Sequence, residues 1–418
     1  HLNRTYSAEA DPDLIYLTAG AAASLTVSLN AILNAGDEVI LLAPFFPEYR
    51  VFVERAGGRV RIVQPDPETF LPDFEALEAA VTGCEQQSGK QISKAVIGVP
   101  GCFCHQVMSK TARNFPSIRL VREDVEDMLK EGRPKEISSE GYTLIDERPI
   151  YFDDCAGTET LDPPIGHKVR RLYMFSSYIY IRNSYLRFIE ELLDKLSITA
   201  ESYVMDQYAL GLHCIPQSVR DDTAILIDVG YNETSVSCII GSAVAVTRHF
   251  PAGGSYITSS LEKKLGVSAM LAENIKRTYI FGISPSSGGK LFAKDEFGRM
   301  HSLNQFKVDG IMNTQADKLI MHIEQIIREF TAKRFCEQSS PVYITGAGFL
   351  IKGMESYISQ RLGRKVFFVK EYEKMRLSPI YSTSLALLDN RLNWGYDFNV
   401  DDDKTASPDK KGIFKLFR

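Results

Sequence analysis

The stretch that decides the fold is Thr223-Ala-Ile-Leu-Ile-Asp228-Val-Gly230-Tyr-Asn-Glu-Thr234. Its apolar run predicts a buried strand that ends in Asp-x-Gly, and an alternating strand returns from Thr234 to Ile240. The turn between them can present backbone amides and a threonine hydroxyl to phosphates, while the aspartate holds hydrated Mg²⁺. The same pattern is also typical of an ordinary β-hairpin, so the residues downstream have to decide between the two interpretations.

Three further features follow in order along the chain. Ala252-Gly253-Gly254 precedes a helix, and Glu273 and Lys276 lie one turn apart on the next helix. Later, a strand from Val342 to Thr345 runs into Gly346-Ala347-Gly348. Glycine allows the backbone to approach a ligand closely, so these turns favour a nucleotide pocket over a simple hairpin.

Together these motifs resemble the actin-like ATPase superfamily, and within it the FtsA family of bacterial cell-division proteins. The resemblance implies an α/β fold with actin-like (ribonuclease H-like) ATPase lobes and an inserted small α+β subdomain. By position, it assigns Asp228, Gly230 and Thr234 to the second phosphate loop. It also brings Gly253 and Gly254 close to phosphate. Glu273 and Lys276 would contact the ribose or base, and the turn at Gly346, Ala347 and Gly348 would pack on the adenosine.

Two departures from the family pattern weaken the predicted nucleotide site. The family's second phosphate loop is glycine-rich, whereas Tyr231, Asn232 and Glu233 fill the turn here. Larger side chains restrict the approach of the backbone to phosphate, and the Glu233 carboxylate would repel it. The family's first phosphate loop, an Asp-x-Gly-Thr motif, is absent from the sequence. We therefore expect ATP and Mg²⁺ to bind weakly or not at all.

The opening segment belongs to a different pattern. Residues 14–18 predict a strand, and Gly20 and Ala21 lie in a turn that opens a helix. Asn34-Ala-Gly-Asp-Glu-Val39 then leads a second strand, followed by Pro44-Phe45-Phe46. This run resembles part of the α/β large domain of fold-type I aminotransferases. The resemblance implies that Gly20 and Ala21 face the phosphate of pyridoxal phosphate (PLP) and that Phe46 stacks on its ring.

The aminotransferase pattern stops before its chemistry is complete. The lysine that forms the Schiff base, the aspartate that pairs with the pyridinium nitrogen and the substrate arginine lie in downstream motifs that this sequence lacks. Bound PLP is therefore possible only by resemblance, and we expect no transamination. The chain reads as a chimera of two families, joined near residues 80–95.

The sequence predicts four domains. An aminotransferase-like fragment covers 1–84, and an FtsA-type α+β subdomain (SHS2-like) with a linking helix covers 85–200. The actin-like nucleotide lobe covers 201–395 and includes an inserted subdomain at 279–335. Residues 396–418 form a flexible linker and a tail.

The tail is amphipathic if it is helical. Ile413, Phe414, Leu416 and Phe417 would share one face, and Lys411, Lys415 and Arg418 the other. Such a face buries its apolar side chains at the acyl boundary and places its cations on anionic lipid. A frayed tail that docks on its own domain is the alternative, and the FtsA resemblance favours the membrane anchor.

Composition limits the remaining possibilities. A net charge of −5 over 418 residues gives no basic surface for nucleic acid. The seven cysteines are scattered, as expected of reduced thiols, and we expect no metal site; Cys102, Cys104 and His105 cluster without a second ligand pair.

We therefore expect a cytoplasmic cell-division adaptor, peripheral on the inner face of the bacterial membrane at the septum. The resemblance implies the FtsZ C-terminal peptide and further copies of the chain as partners. An aminotransferase is the alternative function and an active ATPase a third, but both catalytic sites are incomplete, so an enzyme is the less favoured interpretation.

Overall fold

The computed structural model describes residues 38–42, 54–55, 59–63, 74–88, 91–282, 289–295, 297–369 and 382–393. The chain divides into two compact units. The smaller unit comprises residues 1–94, 192–199 and 373–377, and the rest of the chain forms the larger unit. In the smaller unit, strands β1 (Glu38–Leu42) and β2 (Arg59–Val63) pair in parallel, and helix α1 spans Phe74–Ser88.

The next elements, in chain order, build two sheets and their helices. They are β3 (Lys94–Val99), β4 (Cys104–Arg119), α2 (Arg122–Glu131), α3 (Lys135–Ser139), β5 (Tyr142–Asp153), β6 (Glu159–Thr160), β7 (Lys168–Arg182), α4 (Asn183–Lys195), β8 (Thr199–Met205), α5 (Asp206–Cys214) and α6 (Gln217–Arg220). Strands β3 and β8 form a two-stranded sheet, and the other four strands form a sheet in the order β4-β7-β5-β6.

The remaining described elements build the lobe that carries the predicted site. They are β9 (Ala224–Val229), β10 (Thr234–Ile240), β11 (Ala243–Phe250), α7 (Gly254–Leu265), α8 (Ala269–Thr278), β12 (Lys290–Lys294), β13 (Met300–Asn304), α9 (Gln305–Ala332), β14 (Val342–Thr345), α10 (Met354–Leu362), β15 (Val366–Phe368) and α11 (Ser382–Asn393).

The main sheet has five strands in the order β11-β10-β9-β14-β15. The first three are antiparallel neighbours, whereas β14 runs parallel to both β9 and β15. This is the order of the ribonuclease H-like lobe that the sequence predicts. Strand β10 is buried along its whole length, because helices and the neighbouring sheet cover both faces.

The four-stranded sheet packs against the edge strand β11 through polar side chains. The Gln106 amide donates hydrogen bonds to the carbonyls of Val244 (3.0 Å) and Ala245 (2.7 Å). The Ser177 hydroxyl also donates to the Val244 carbonyl, at 2.7 Å. These bonds satisfy carbonyls that an edge strand would otherwise leave open.

Helix α9 shows the period of an amphipathic helix, with apolar side chains recurring on one face. Its apolar stripe is buried at Leu319, Ile320, Ile323, Ile327 and Phe330. Within the described residues, no helix is both long and apolar enough to cross a membrane.

The strands of the small sheet were predicted unequally well. Strand β4 was not predicted, because its sequence mixes polar and apolar residues and contains Pro116. Strand β5 runs continuously from Tyr142 to Asp153, as expected of a strand that starts at Tyr142–Ile145 and continues through Ile150–Phe152. Pro149 lies at a register shift against β7, where a proline costs no ladder hydrogen bond.

Candidate nucleotide site

The predicted site residues meet where β9 and β14 end. These parallel neighbours place Thr345 opposite Asp228 in the sheet. Two turns therefore leave the sheet side by side, at the same end of its strands: one starts at Gly230 and the other at Gly346. Carboxyl ends of parallel strands are where α/β sheets hold their ligands.

The first turn is closed by its own hydrogen bonds. The Gly230 amide donates to the carbonyl of Glu233 at 2.9 Å, so residues 230–233 form a tight loop between β9 and β10. Thr234 begins β10 and is fully buried. Its hydroxyl, predicted to face phosphate, donates instead to the carbonyl of Ala252 at 2.7 Å.

The predicted glycines pack directly on backbone. A Cβ atom on Gly253 or on Gly348 would collide with the carbonyl oxygen of Gly230. A Cβ on Gly346 would collide with the Val229 carbonyl, and its φ of 86° also favours glycine. These positions need glycine because the turns touch one another, whatever ligand they hold. Ala347, next to them, is exposed.

The amides at the start of α7 are already paired. Gly254 donates to the Gly230 carbonyl at 3.0 Å, and Ser255 donates to the Tyr231 carbonyl at 2.8 Å. A free helix N-terminus attracts anions through these unpaired amides. Here the loop at residues 230–233 supplies carbonyl oxygens to these amides, in the place where phosphate oxygens would bind.

Glu273 and Lys276 bond to each other, one turn apart on α8. The ammonium of Lys276 lies 2.7 Å from a Glu273 carboxylate oxygen and also donates to Thr258 at 3.0 Å and to the Gly254 carbonyl at 3.2 Å. Burial lowers the pKa of Lys276, although Glu273 acts in the opposite direction. Burial raises the pKa of Glu273, but its bonds to Lys276, Thr258 and Arg277 outweigh that and hold the pKa below its usual range.

Three carboxyl groups face one another near these turns. Asp206 is the first residue of α5, directly after β8; burial, then Asp228 and Glu233, raise its pKa to about 7. Burial and Glu233 raise the pKa of Asp228 to about 6. Among the described residues, no cation forms an ion pair with any of the three.

The short helical turn after β3, Gly101–Phe103, carries a thiol whose pKa these carboxyl groups affect. Burial, followed by the charge of Glu233, raises the pKa of the Cys102 thiol to about 12. Sequence reasoning missed Asp206 and assigned Cys102 no role at this site. The available signal for Asp206 was a carboxylate directly after Tyr203-Val-Met205, a short run of strand-forming residues. No such signal existed for Cys102, because Glu233 lies more than a hundred residues further along the sequence.

The arrangement does not suit a nucleoside triphosphate with Mg²⁺. The amides that would bind phosphate are paired internally, and so is Lys276, which was predicted to contact the ribose or base. The other side-chain charges nearby are negative. Nor does any group of three His, Cys, Asp or Glu side chains in the described ranges have the geometry to hold a metal ion. The predicted PLP contacts (Gly20, Ala21 and Phe46) and the predicted membrane face (Lys411 and Ile413–Arg418) lie outside the described residues.

The opening segment matches the family model described as aminotransferase class I and II over residues 1–100. An aspartate/prephenate aminotransferase of Thermus thermophilus is 40% identical over 72 residues, which are 17% of this chain and 19% of that protein. The predicted resemblance of this segment to aminotransferases is confirmed as a sequence similarity.

Most of the chain is similar to FtsA. The cell division protein FtsA of Streptococcus pneumoniae serotype 2 is 22% identical over 298 residues, which cover 70% of this chain and 64% of that protein. The chain thus spans less than two thirds of that relative. FtsA of Neisseria meningitidis serogroup B is 21% identical over 206 residues, covering 49% of each chain. The predicted resemblance to FtsA is confirmed.

Among solved structures, the chain is similar to one from the PilM-PilN type IV pilus biogenesis complex. That match has a TM-score of 0.48 and 14% identity, and it covers 75% of this chain and 83% of the other. MreB 5 of Spiroplasma citri bound to AMPPNP matches with a TM-score of 0.40 and 11% identity, covering 50% and 65%.

Proposed function

We propose that the chain acts as a cell-division adaptor of the FtsA type, which tethers FtsZ to the cytoplasmic face of the membrane at the division septum. The observation that supports this function is the similarity to FtsA over 70% of the chain. In this proposal, residues 85–200 are the α+β subdomain, 201–395 are the nucleotide lobe with its insertion at 279–335, and 396–418 carry the membrane anchor. Residues 1–84 remain an aminotransferase-like addition.

The proposed membrane anchor is the amphipathic tail. Phe414 and Phe417 would enter the acyl boundary while Lys411, Lys415 and Arg418 contact anionic headgroups. A segment this short binds weakly as one copy, so self-association of the chain into filaments would supply the necessary avidity.

Liposome flotation of the full chain tests the anchor. We expect the protein to float with vesicles that contain anionic lipid and to remain at the bottom when Phe414→Asp and Phe417→Asp are combined. Phe297→Asp is the matched control, because it places the same charge on an exposed aromatic outside the tail. Unchanged flotation of the double variant would refute this part of the proposal.

We propose that the partner peptide binds on the β12–β13 hairpin. Four large apolar side chains on and next to this hairpin are more than half exposed: Phe292 (59%), Phe297 (72%), Met300 (58%) and Phe306 (66%). Soluble proteins rarely leave such a group exposed unless it binds a partner. The exposed cations Lys290, Lys294, Arg299 and Lys307 surround them. Asp295, the acid at the turn, accepts from the Phe297 and Arg299 amides and contacts His301, so the hairpin suits an acidic peptide with apolar anchors.

Co-sedimentation with FtsZ polymers tests this surface. Combining Phe292→Ser with Phe297→Ser removes two apolar anchors, and we expect at least a tenfold loss of affinity. Met321→Ser serves as the control, because Met321 is 56% exposed on helix α9, outside the hairpin. Equal binding of the hairpin variant and the control would rule out the hairpin as the contact.

A second candidate function follows from the family match at residues 1–100. If this segment acted as an aminotransferase, added PLP would form a Schiff base with one lysine. We expect no absorbance near the Schiff-base band and no borohydride-trapped lysine, because the motif that supplies this lysine is absent. A single trapped lysine would favour the enzyme.

A further inference from the structure

One end of the four-stranded sheet displays two apolar side chains to solvent. Val121 follows β4 and is 48% exposed, and Ile165 precedes β7 and is 45% exposed. The Gly166 amide donates to the Leu120 carbonyl at 2.8 Å, and the Leu120 amide donates to the His167 carbonyl at 3.0 Å. These two bonds extend the antiparallel β4–β7 ladder by one step. Val121 and Ile165 therefore leave the ladder next to each other.

Local hydrogen bonds hold both of these residues in place. The Val121 amide donates to the Asp124 carboxylate at 3.0 Å, at the start of α2. Ile165 lies in the turn Pro163-Pro-Ile-Gly166, where its amide donates to the Pro163 carbonyl at 2.8 Å. The two prolines leave this turn few alternative conformations. A partner would therefore meet apolar side chains that are already ordered, which lowers the entropic cost of binding.

Four exposed cations lie at the same end of the sheet. Arg119 and Lys168 are partners in the β4–β7 ladder, and Arg170 and Arg171 follow on β7. The Arg119 guanidinium donates to the Gly166 carbonyl at 3.0 Å, which places its charge beside the apolar pair. Within the described part of the chain, none of these four side chains forms an ion pair.

Val121, Ile165 and the four cations together make a surface, the sheet tip, whose positive charge the nearby acids do not cancel. Glu123 and Asp162 are exposed close by in sequence, so two free carboxylates stand against four cations, and the Asp124 carboxylate is already bonded. The whole chain carries a net charge of −5, so the sheet tip is locally opposite in sign to the molecule. An anionic partner is therefore favoured.

A membrane surface that contains anionic lipid fits this combination. Apolar side chains can enter the boundary between headgroups and acyl chains, while lysine and arginine contact anionic headgroups. A specific protein interface buries about 800 Å² of each partner, whereas the sheet tip offers two apolar side chains. A bilayer requires no complementary shape, so even a small contact contributes to binding.

We propose that the sheet tip is a second contact with membranes that contain anionic lipid, separate from the C-terminal tail. This inference rests on the proposed membrane tethering of the chain. The tail is short and binds weakly as one copy, so a second contact on the same chain raises the overall affinity. The sheet tip also orients the sheet against the bilayer, because its side chains are fixed to β4, β7 and their turns.

Vesicle binding of the full chain tests the sheet tip. The probes are vesicles of phosphatidylcholine with phosphatidylglycerol, and flotation gives the bound fraction at each lipid concentration. Two variants remove the two parts of the contact: Lys168→Glu with Arg170→Glu, and Val121→Ser with Ile165→Ser. We expect each variant to lower the partition coefficient at least about fivefold.

Matched variants elsewhere provide the controls. Lys263→Glu with Lys264→Glu makes the same change of net charge on exposed residues of α7, and Met270→Ser with Met321→Ser removes two exposed apolar side chains. Both should bind the vesicles as the original chain does. An equal loss in a control would show that overall charge or stability sets the binding, which would overturn the inference.

The tail variant separates the failure of this inference from the failure of the proposed tethering. If Phe414→Asp with Phe417→Asp stops flotation while both tip variants bind like the original chain, the tail is the anchor and the sheet tip is not a membrane contact. If the original chain does not bind these vesicles, the tethering and this inference fail together. Tip variants that keep full vesicle binding but co-sediment poorly with FtsZ polymers would assign the surface to a protein partner and overturn the membrane contact.

Discussion

At the scale of single residues, the predicted site consists of polar groups that satisfy one another. Thr234 bonds the Ala252 carbonyl, Lys276 bonds Glu273, and the Gly254 amide bonds the Gly230 carbonyl. Sequence reasoning selected residues that do meet in space, because the order of their turns is set by the order of the strands. It could not foresee that they are paired internally, since hydrogen bonding between distant turns leaves no local pattern.

The carboxyl groups near the pocket should make stability depend on pH. The pKa of Asp206 is raised from 3.8 to about 7 in the folded chain, so the folded state binds the proton more tightly than the unfolded state does. The contribution of Asp206 to the free energy of unfolding therefore falls as pH rises from 4 to 7. We expect Asp206→Asn to be more stable than the original chain at pH 8, and this advantage should vanish near pH 4.

Urea unfolding at several pH values measures the difference. Asp222→Asn is the control, because it makes the same substitution at an exposed position. An Asp206→Asn variant that is destabilised equally at all pH values would show that Asp206 has a structural rather than an electrostatic effect.

Removing one side chain of the buried ion pair on α8 should strongly lower the stability of the fold. Lys276→Met leaves the Glu273 carboxylate with only Arg277 and Thr258 as partners, and removing one member of a buried pair costs about 3 kcal/mol. The double variant Lys276→Met with Glu273→Met should recover most of that loss, since neither charge remains buried. Chemical denaturation measures both. Lys263→Met, on the exposed part of α7, should change stability little, and a similar loss there would contradict the argument.

At the scale of elements, the sequence predicts the central lobe better than the small sheet. Strands β9 and β14 are mostly apolar and β10 alternates between polar and apolar residues; all three end in glycine turns, and this pattern has few alternative interpretations. Strand β4 carries lysine, asparagine and proline along an exposed edge, so neither periodicity nor propensity marks it. Its position depends on pairing with β7, a contact made far along the chain.

The polar contact between the small sheet and β11 can be tested through Gln106. Its amide bonds the Val244 and Ala245 carbonyls, so Gln106→Ala leaves both acceptors with fewer partners and should cost about 1–3 kcal/mol. Hydrogen exchange should become faster in β11 and in the facing part of β4. Gln325→Ala, on the exposed face of α9, is the control. Unchanged exchange in β11 would mean that Ser177 alone maintains the contact.

At the scale of the whole molecule, the chain is similar to two families in different parts of its sequence. The match to aminotransferases covers residues 1–100, and the similarity to FtsA covers 70% of the chain. Sequence motifs are sufficient to recognise both families, because each motif is local. They do not establish whether the two parts unfold together, since that depends on packing between segments that no local pattern encodes.

Calorimetry of the full chain measures how the parts unfold. We expect more than one transition, because a fragment of a larger domain buries too little apolar surface to unfold cooperatively with an unrelated lobe. Saturating PLP should leave every transition in place. One sharp transition for the entire chain would contradict the chimeric description.

Recruitment of FtsZ to membranes tests the central claim most directly. FtsZ, the full chain and vesicles containing anionic lipid are floated together, with and without Mg-ATP. We predict that FtsZ rises with the vesicles to the same extent in both conditions, because the proposed adaptor needs its tail and its partner surface but not a bound triphosphate. FtsZ that stays at the bottom, or that rises only when Mg-ATP is present, would contradict the account.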